Sequence, residues 1–285
     1  MGEKWERLAE RIPPLRLAYL LTRRYLRHNV GIQGAALAFY LLFGCFPLLI
    51  FLSALPGLLR LDVMAVVELL GRTLPQEAVA LAEAYLRHVM ANPSPRLLLF
   101  GLFFSLWFPM RAVNALMRAV RTAYHLGPPR RPVLHTLRTL VYTAVFIAAL
   151  TLTLALMTVS DRLLSWGTAR FGLPAIAAEL WGALRFPAAA AVGWIALCFL
   201  YALAQDSRRP WREIWPGALA ALAAWLALNW AYALYAANIA DYSLLYGSIG
   251  TVMAVLVWLY LSGVTFIMGA ECNAALAAMG RERKL

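Results

Sequence analysis

Charge is scarce in this sequence. Asp, Glu, Lys and Arg make up 14% of its 285 residues, where an ordinary soluble domain carries about 25%. With 62% of residues hydrophobic, a water-soluble fold of this length has too little polar surface to cover its core. Lysine is almost missing, with only Lys4 and Lys284, so the formal net charge of +12 rests on arginine. Its distribution between apolar windows argues against nucleic acid as a partner. Arg binds phosphates through a planar fork of donors, which keeps a phosphate-binding role open.

Residues that carry chemistry are sparse as well. Cys45, Cys198 and Cys272 fall within or beside apolar windows with no C-x-x-C spacing, which reads as packing rather than redox or metal chemistry. His28, His88, His125 and His135 are scattered, and neither H-x-x-x-H nor D-x-D occurs. The stretch from Arg111 to Arg138 contains no acid, whereas a phosphodiesterase needs clustered carboxylates or histidines, or a paired acid and base. A P-loop is missing too, so no ATP hydrolysis is expected of this chain. Neither an enzyme, a metal nor a cofactor is expected. The charged N-terminus, Met1 to Asn29, lacks a short apolar core with a cleavage site, and no signal peptide is expected there.

What the sequence does have is long uncharged runs. Tyr242 to Ala270 spans 29 residues without Asp, Glu, Lys or Arg. About 20 apolar helical residues cross the roughly 30 Å hydrocarbon core of a bilayer. Further uncharged windows lie at Asn29–Leu59, Leu97–Met110, Thr139–Ser160, Phe186–Gln205 and Ile214–Ala240. They are continuous rather than alternating, which fits helices and not barrel strands. Leu97–Met110 is short at 14 residues, and extending it through Arg111 to Met117 gives 21. Counting it as a span places 19 Lys/Arg on the side of the N-terminus and 7 on the other. Omitting it reverses the bias. The positive-inside rule therefore selects an all-α, six-span protein with both termini cytoplasmic.

We read residues 1–285 as a single integral membrane domain, with a cytoplasmic amphipathic helix in 1–28 and a six-helix core in 29–285. Leu15 to His28 is Arg-rich and suits a helix drawn to anionic headgroups. The outer segment 60–96 carries a capping signature, Thr73-Leu-Pro-Gln76, followed by Ala78, Ala82, Tyr85, Leu86 and Val89 at helical spacing. That pattern predicts an amphipathic surface helix ended by Asn92-Pro-Ser-Pro95. Trp211 and Trp215, with Trp166 and Trp181, suit interfacial belts. In the first span Gly44, Pro47, Pro56 and Gly57 interrupt a long window. A helix kink is expected at Pro47, as a bent packing helix or as a broken helix lining a cavity.

Arg111, Asn114, Arg118, Arg121 and His125 recur at steps of three and four, along one helix face. Either Arg111 snorkels while the others anchor an inner helix, or the row coordinates an anionic headgroup. The candidate substrate-binding set is Arg111, Asn114, Arg118 and Arg121. Glu271 and Asn273 sit where the last span leaves the membrane, with Glu271 expected to pair with an Arg of that row or to cap a helix end. Gln33, Asn229 and Asn238 are expected as interhelical hydrogen-bond donors.

Three stretches resemble the YihY/BrkB family of bacterial inner-membrane proteins. Ala35-Ala-Leu-Ala-Phe-Tyr40 with Phe46-Pro-Leu-Leu49 is similar to that family's first span. Pro216-Gly-Ala218 with Trp225 is similar to the start of its fifth. Tyr246-Gly-Ser248, Trp258-Leu-Tyr260 and Gly269-Ala-Glu271 with Asn273 resemble its last span and exit. The likeness covers about residues 20 to 280, with one departure. The family often follows the Tyr ending span four with a basic residue and a Pro, whereas Tyr201 is followed here by Ala-Leu-Ala-Gln205. The resemblance implies a multi-pass protein of the cytoplasmic membrane. Family members have carried a ribonuclease BN label regarded as a misassignment, and others are linked to virulence, serum resistance, or export of lipid or lipopolysaccharide precursors. The functional expectation is a transporter or flippase of an anionic lipid or lipid-linked molecule, with no ATPase of its own. The alternative is a non-catalytic envelope scaffold, acting as a homo-oligomer or with an envelope partner protein.

Overall fold

The computed structural model describes residues 13–59, 94–127, 132–158, 176–205, 210–238 and 240–282. Seven long helices account for nearly all of them: α1 (Pro13–Arg27), α2 (Val30–Leu59), α3 (Pro95–Ala123), α4 (Pro132–Thr158), α5 (Ile176–Leu203), α6 (Trp215–Asn238) and α7 (Ala240–Glu282). No strand occurs among the described residues. Six stretches, all but α1, are long and apolar enough to cross a membrane: Val30–Phe51, Pro95–Ala123, Val133–Thr153, Leu180–Leu203, Trp211–Tyr235 and Val252–Arg281. The surface helix expected within 60–96 lies outside the described residues, except for the start of α3 at Pro95.

Local sequence explains where these helices begin and end. Pro stands at or near the start of α1, α3, α4 and α6, where its missing N–H has no intrahelical partner to lose. The Ser94 hydroxyl accepts the Leu97 N–H at 3.4 Å, capping α3. At its far end α3 closes in a paired turn, with the Leu126 N–H on the Arg121 carbonyl and the His125 N–H on that of Thr122. This is the Schellman arrangement, and His125 takes the left-handed position at φ 56° that glycine usually fills. Asn29, at φ 51°, serves the same turn between α1 and α2. The helix α2 continues through Pro47 without a break. Two prolines not singled out from sequence, Pro109 and Pro187, also lie inside helices.

The chain forms two compact units, residues 39–111 and residues 1–38 with 112–285. Within 39–111, the parts of α2 and α3 run antiparallel, with Gly44 against Phe108 and Gly101 against Phe51. Gly101 is required there, because a Cβ would meet the Phe51 backbone at 2.6 Å. Rings of Phe39, Phe43 and Phe46 continue the contact along α2.

In the other unit α6 and α7 form an antiparallel pair, α4 packs on α5, α5 on α6, and α1 lies against α7. Trp225 donates to Ser262 at 3.1 Å and Trp258 to Asn229 at 3.1 Å, holding α6 and α7 in register. Met117, Tyr142, Leu200, Tyr201 and Ile267 are fully buried in this unit. The outward faces carry Val133, Phe186, Trp230 and Met253, all more than half exposed. Such faces are unfavourable in water and favourable against lipid tails.

Candidate functional site

Polar groups gather at one end of the larger unit, around the buried carboxylate of Glu271. This side chain has no exposed surface, so it must be paired to remain charged. Arg24 Nη1 donates to its Oε2 at 3.1 Å and His28 Nδ1 lies 2.5 Å from its Oε1. Arg24 also donates to the Ala123 carbonyl at 3.2 Å, an acceptor in the last turn of α3 where the helix dipole favours a cation. One guanidinium thus joins α1, α3 and α7. The His125 ring stands edge-on to His28 with centroids 5.2 Å apart. Partial burial, then the charges of Arg24 and His28, hold the His125 imidazole below its ordinary range, with Glu271 opposing and Arg27 adding to the effect.

Two residues further along α7, Asn273 is buried and serves both faces of its amide. Its Oδ1 accepts the Gly217 N–H at 2.6 Å and its Nδ2 donates to the Ile214 carbonyl at 2.6 Å. It thereby caps the start of α6 from another helix. The backbones approach so closely that a Cβ on Gly217 would collide with the Gly269 carbonyl and with Asn273. Tyr201 completes the junction, its hydroxyl donating to the Phe266 carbonyl at 2.5 Å. Asn273→Leu strands the buried Gly217 N–H, costing about 1–3 kcal/mol, and takes one of two donors from the Ile214 carbonyl, which keeps the Ala218 N–H. We expect a clearly lower melting temperature in detergent. A melt unchanged from wild type contradicts this capping role.

A third cluster closes the end of α5. Arg121, 4% exposed, donates to the Ala204 carbonyl at 3.1 Å and to the Gly127 carbonyl at 2.7 Å. Arg138 donates to the Gln205 carbonyl at 3.3 Å. Two cations from α3 and α4 therefore cover the carbonyl end of α5, as cations do at helix C-termini. This is the corner where a basic residue and a Pro are absent from the sequence after Tyr201.

The expected site residues each have their own surroundings. Arg111 belongs to the unit 39–111, where its guanidinium lies 5.9 Å from the Tyr40 ring centroid and 5.8 Å from that of Trp107. Asn114, Arg118 and Arg121 belong to the other unit. Asn114 Oδ1 meets His135 Nε2 at 3.3 Å, Arg118 is exposed, and Arg121 is turned inward onto backbone carbonyls. Glu271 pairs with Arg24 rather than with an Arg of the row, a correction that follows from α1 docking on α7. Gln33 donates locally to the His28 carbonyl at 2.7 Å, closing the α1–α2 turn instead of bridging helices. Asn229 accepts across helices from Trp258 and donates to Trp225 within its own. The side chain of Asn238 lies outside the described residues. Arg24 and His28 were missed as site residues, because nothing local marks a partner 247 and 243 positions away. Among the described residues no group of His, Cys, Asp or Glu is placed to hold a metal ion.

Gly217, Glu271 and Asn273 are among the residues on which the sequence resemblance rested. A family model described as virulence factor BrkB matches residues 21–285. The chain belongs to the BrkB family. This BrkB-family protein is 28% identical over 256 residues to a ribonuclease-like protein, YfkH, of Bacillus subtilis, covering 90% of this chain and 93% of that one. It is 29% identical over 282 residues to a UPF0761 membrane protein of Alkalilimnicola ehrlichii and 26% over 284 residues to one of Stenotrophomonas maltophilia K279a. The chain spans only 60% and 63% of the length of those two relatives. No solved structure matches it. With six spanning-length helices among the described residues and relatives named as membrane proteins, the BrkB-family chain is a multi-pass membrane protein.

Proposed function

We propose that this protein moves an anionic lipid or lipid-linked molecule across the bacterial cytoplasmic membrane, without an ATPase of its own. The observation that carries the reading is Arg111. It sits near the middle of a spanning helix, half-buried, over the faces of Tyr40 and Trp107. An Arg at the centre of a membrane helix costs about 2.5–3.5 kcal/mol on insertion scales. Stacking on rings recovers part of that, and leaves the N–H donors in the guanidinium plane for an anion. No ion pair among the described residues includes Arg111. A lipid phosphate is the anion that reaches such a place.

The orientation is part of the proposal. Arg24 on Glu271 supports both termini lying on one side of the membrane, and the excess of Lys/Arg on that side makes it the cytoplasmic one. Without a nucleotide site of its own, movement follows a gradient, an ion or a partner. A second reading, an envelope scaffold, draws on the Glu271 and Asn273 clusters, which are buried and internal and serve to hold helices together. Reconstitution into vesicles with labelled anionic and zwitterionic lipids separates the two. Wild type is expected to accelerate the anionic lipid, and Arg111→Ala to lose at least about tenfold of that rate, the equivalent of one charge-assisted contact. If wild type leaves both lipids at the protein-free rate across pH and potential, the scaffold reading replaces transport.

A further inference from the structure

The last four turns of α3 carry an exposure pattern that neither packing nor lipid contact explains. From Ala112 to His125, Asn114 and Ala115 are half-buried, and the exposed positions are Arg118, Thr122 and His125; the rest are buried. A step of four places Arg118 and Thr122 on one narrow face of α3, and His125 follows in the turn that closes the helix. A strip facing acyl chains is apolar; this one is polar throughout. Arg118 precedes the end of α3 by five residues, about 7.5 Å along the axis, the depth of a headgroup rather than of mid-bilayer.

The end of α1 lies at the same corner. The Arg24 bond to the Ala123 carbonyl and the edge-on contact of His28 with His125 dock it there. Arg27, exposed and next to His28, is near enough for its charge to act on His125. The charged and titratable groups facing His125 are therefore Arg24 and Arg27 from α1, His28 just after it, and Glu271 from α7. Glu271 is buried and held by Arg24 and His28. Among the described residues, no ion pair includes Arg27 or Arg118. Leu26, 69% exposed, sets an apolar surface beside Arg27.

We propose that Arg27, Arg118 and His125 bind the phosphodiester headgroup of an anionic lipid in the adjoining leaflet. Two guanidiniums supply forked donors to the phosphate oxygens, the imidazole supplies a third donor, and Leu26 meets the acyl chain. The site deepens the transport reading by giving the lipid a loading point, and it rests on that reading only for its purpose. Binding carries a signature that a purely structural corner lacks. An unoccupied site disfavours protonation of His125, and a bound phosphodiester, itself charged throughout this range, favours it. Protonation and binding then strengthen each other, so affinity rises as pH falls from about 7.5 to about 5.5.

The test uses the full chain in neutral detergent micelles carrying fluorescent phosphatidylglycerol, with phosphatidylcholine and inorganic phosphate as competitors. Phosphatidylglycerol is expected to bind about tenfold more tightly than phosphatidylcholine, as two charge-assisted contacts require, and more tightly still at low pH. Arg27→Gln and Arg118→Gln each weaken it about fivefold with melting temperature unchanged, since both side chains are exposed and unbonded among the described residues. His125→Asn, which tolerates the left-handed backbone, flattens the pH dependence. Equal binding of the two lipids, or no effect of either Arg substitution, overturns the site. Displacement by inorganic phosphate at concentrations matching the lipid overturns the lipid as its ligand. Selective binding in a protein that fails to transport sinks the transport reading alone, while Arg111-dependent transport without phosphatidylglycerol preference sinks this site alone.

Discussion

Glu271→Gln is expected to lower the melting temperature of the detergent-solubilised protein sharply. The amide keeps the shape of the side chain but removes the charge that both Arg24 and His28 address. Arg24 is only 15% exposed and its other acceptor is a neutral carbonyl, so its charge is left in a poorly solvated place. Breaking a buried pair from one side typically costs about 3–5 kcal/mol, against about 0–1 kcal/mol for an exposed pair. Arg24→Gln and the double variant complete the cycle. If the pair is buried as described, the double variant is less destabilised than the sum of the two singles. A wild-type melt combined with lost transport instead makes Glu271 a functional carboxylate.

Gly217→Ala is expected to be about as damaging, for the opposite reason: it adds an atom where none fits. The new methyl meets the Gly269 carbonyl and the Asn273 amide, both backbone or backbone-bonded groups with little freedom to move. Overpacking typically costs about 1–3 kcal/mol. Here the displaced Asn273 also releases the Gly217 N–H, adding about 1–3 kcal/mol for that unpaired group. The control is Gly280→Ala on the same helix as Gly269, where a Cβ meets nothing within 4 Å. Equal melting temperatures for the two variants, measured side by side, would show that α6 and α7 are not in the close register described.

The spanning helices were legible because lipid imposes a length, and a long charge-free window fits little except a span. The amphipathic α1 was legible from the same patterning. What escaped was every interaction set by docking rather than by period. Helical spacing put Arg118 and Arg121 on one broad face, yet three residues turn a helix by about 300°, leaving the two side chains about 60° apart. That angle is enough for Arg118 to reach the surface while Arg121 points inward to the end of α5. The missing basic residue after Tyr201 marked this corner as different, but not that Arg121 and Arg138 would fill it from other helices. Similarly, Glu271 was legible as a residue needing a cation, and its cation could be found only once α1 was seen against α7. Pro109 and Pro187, both inside spanning helices, drew no attention because membrane helices tolerate Pro where neighbours satisfy the freed carbonyl.

The bond between Arg24 and Glu271 also has a history within each molecule. Its two ends are 247 residues apart, and a ribosome adding about 5–20 residues per second needs roughly 12–50 s to make the second after the first. Throughout that interval the first helix has left the ribosome with a guanidinium whose carboxylate does not yet exist. The α1 helix must wait, through the synthesis of five spans, before the sixth arrives to receive it.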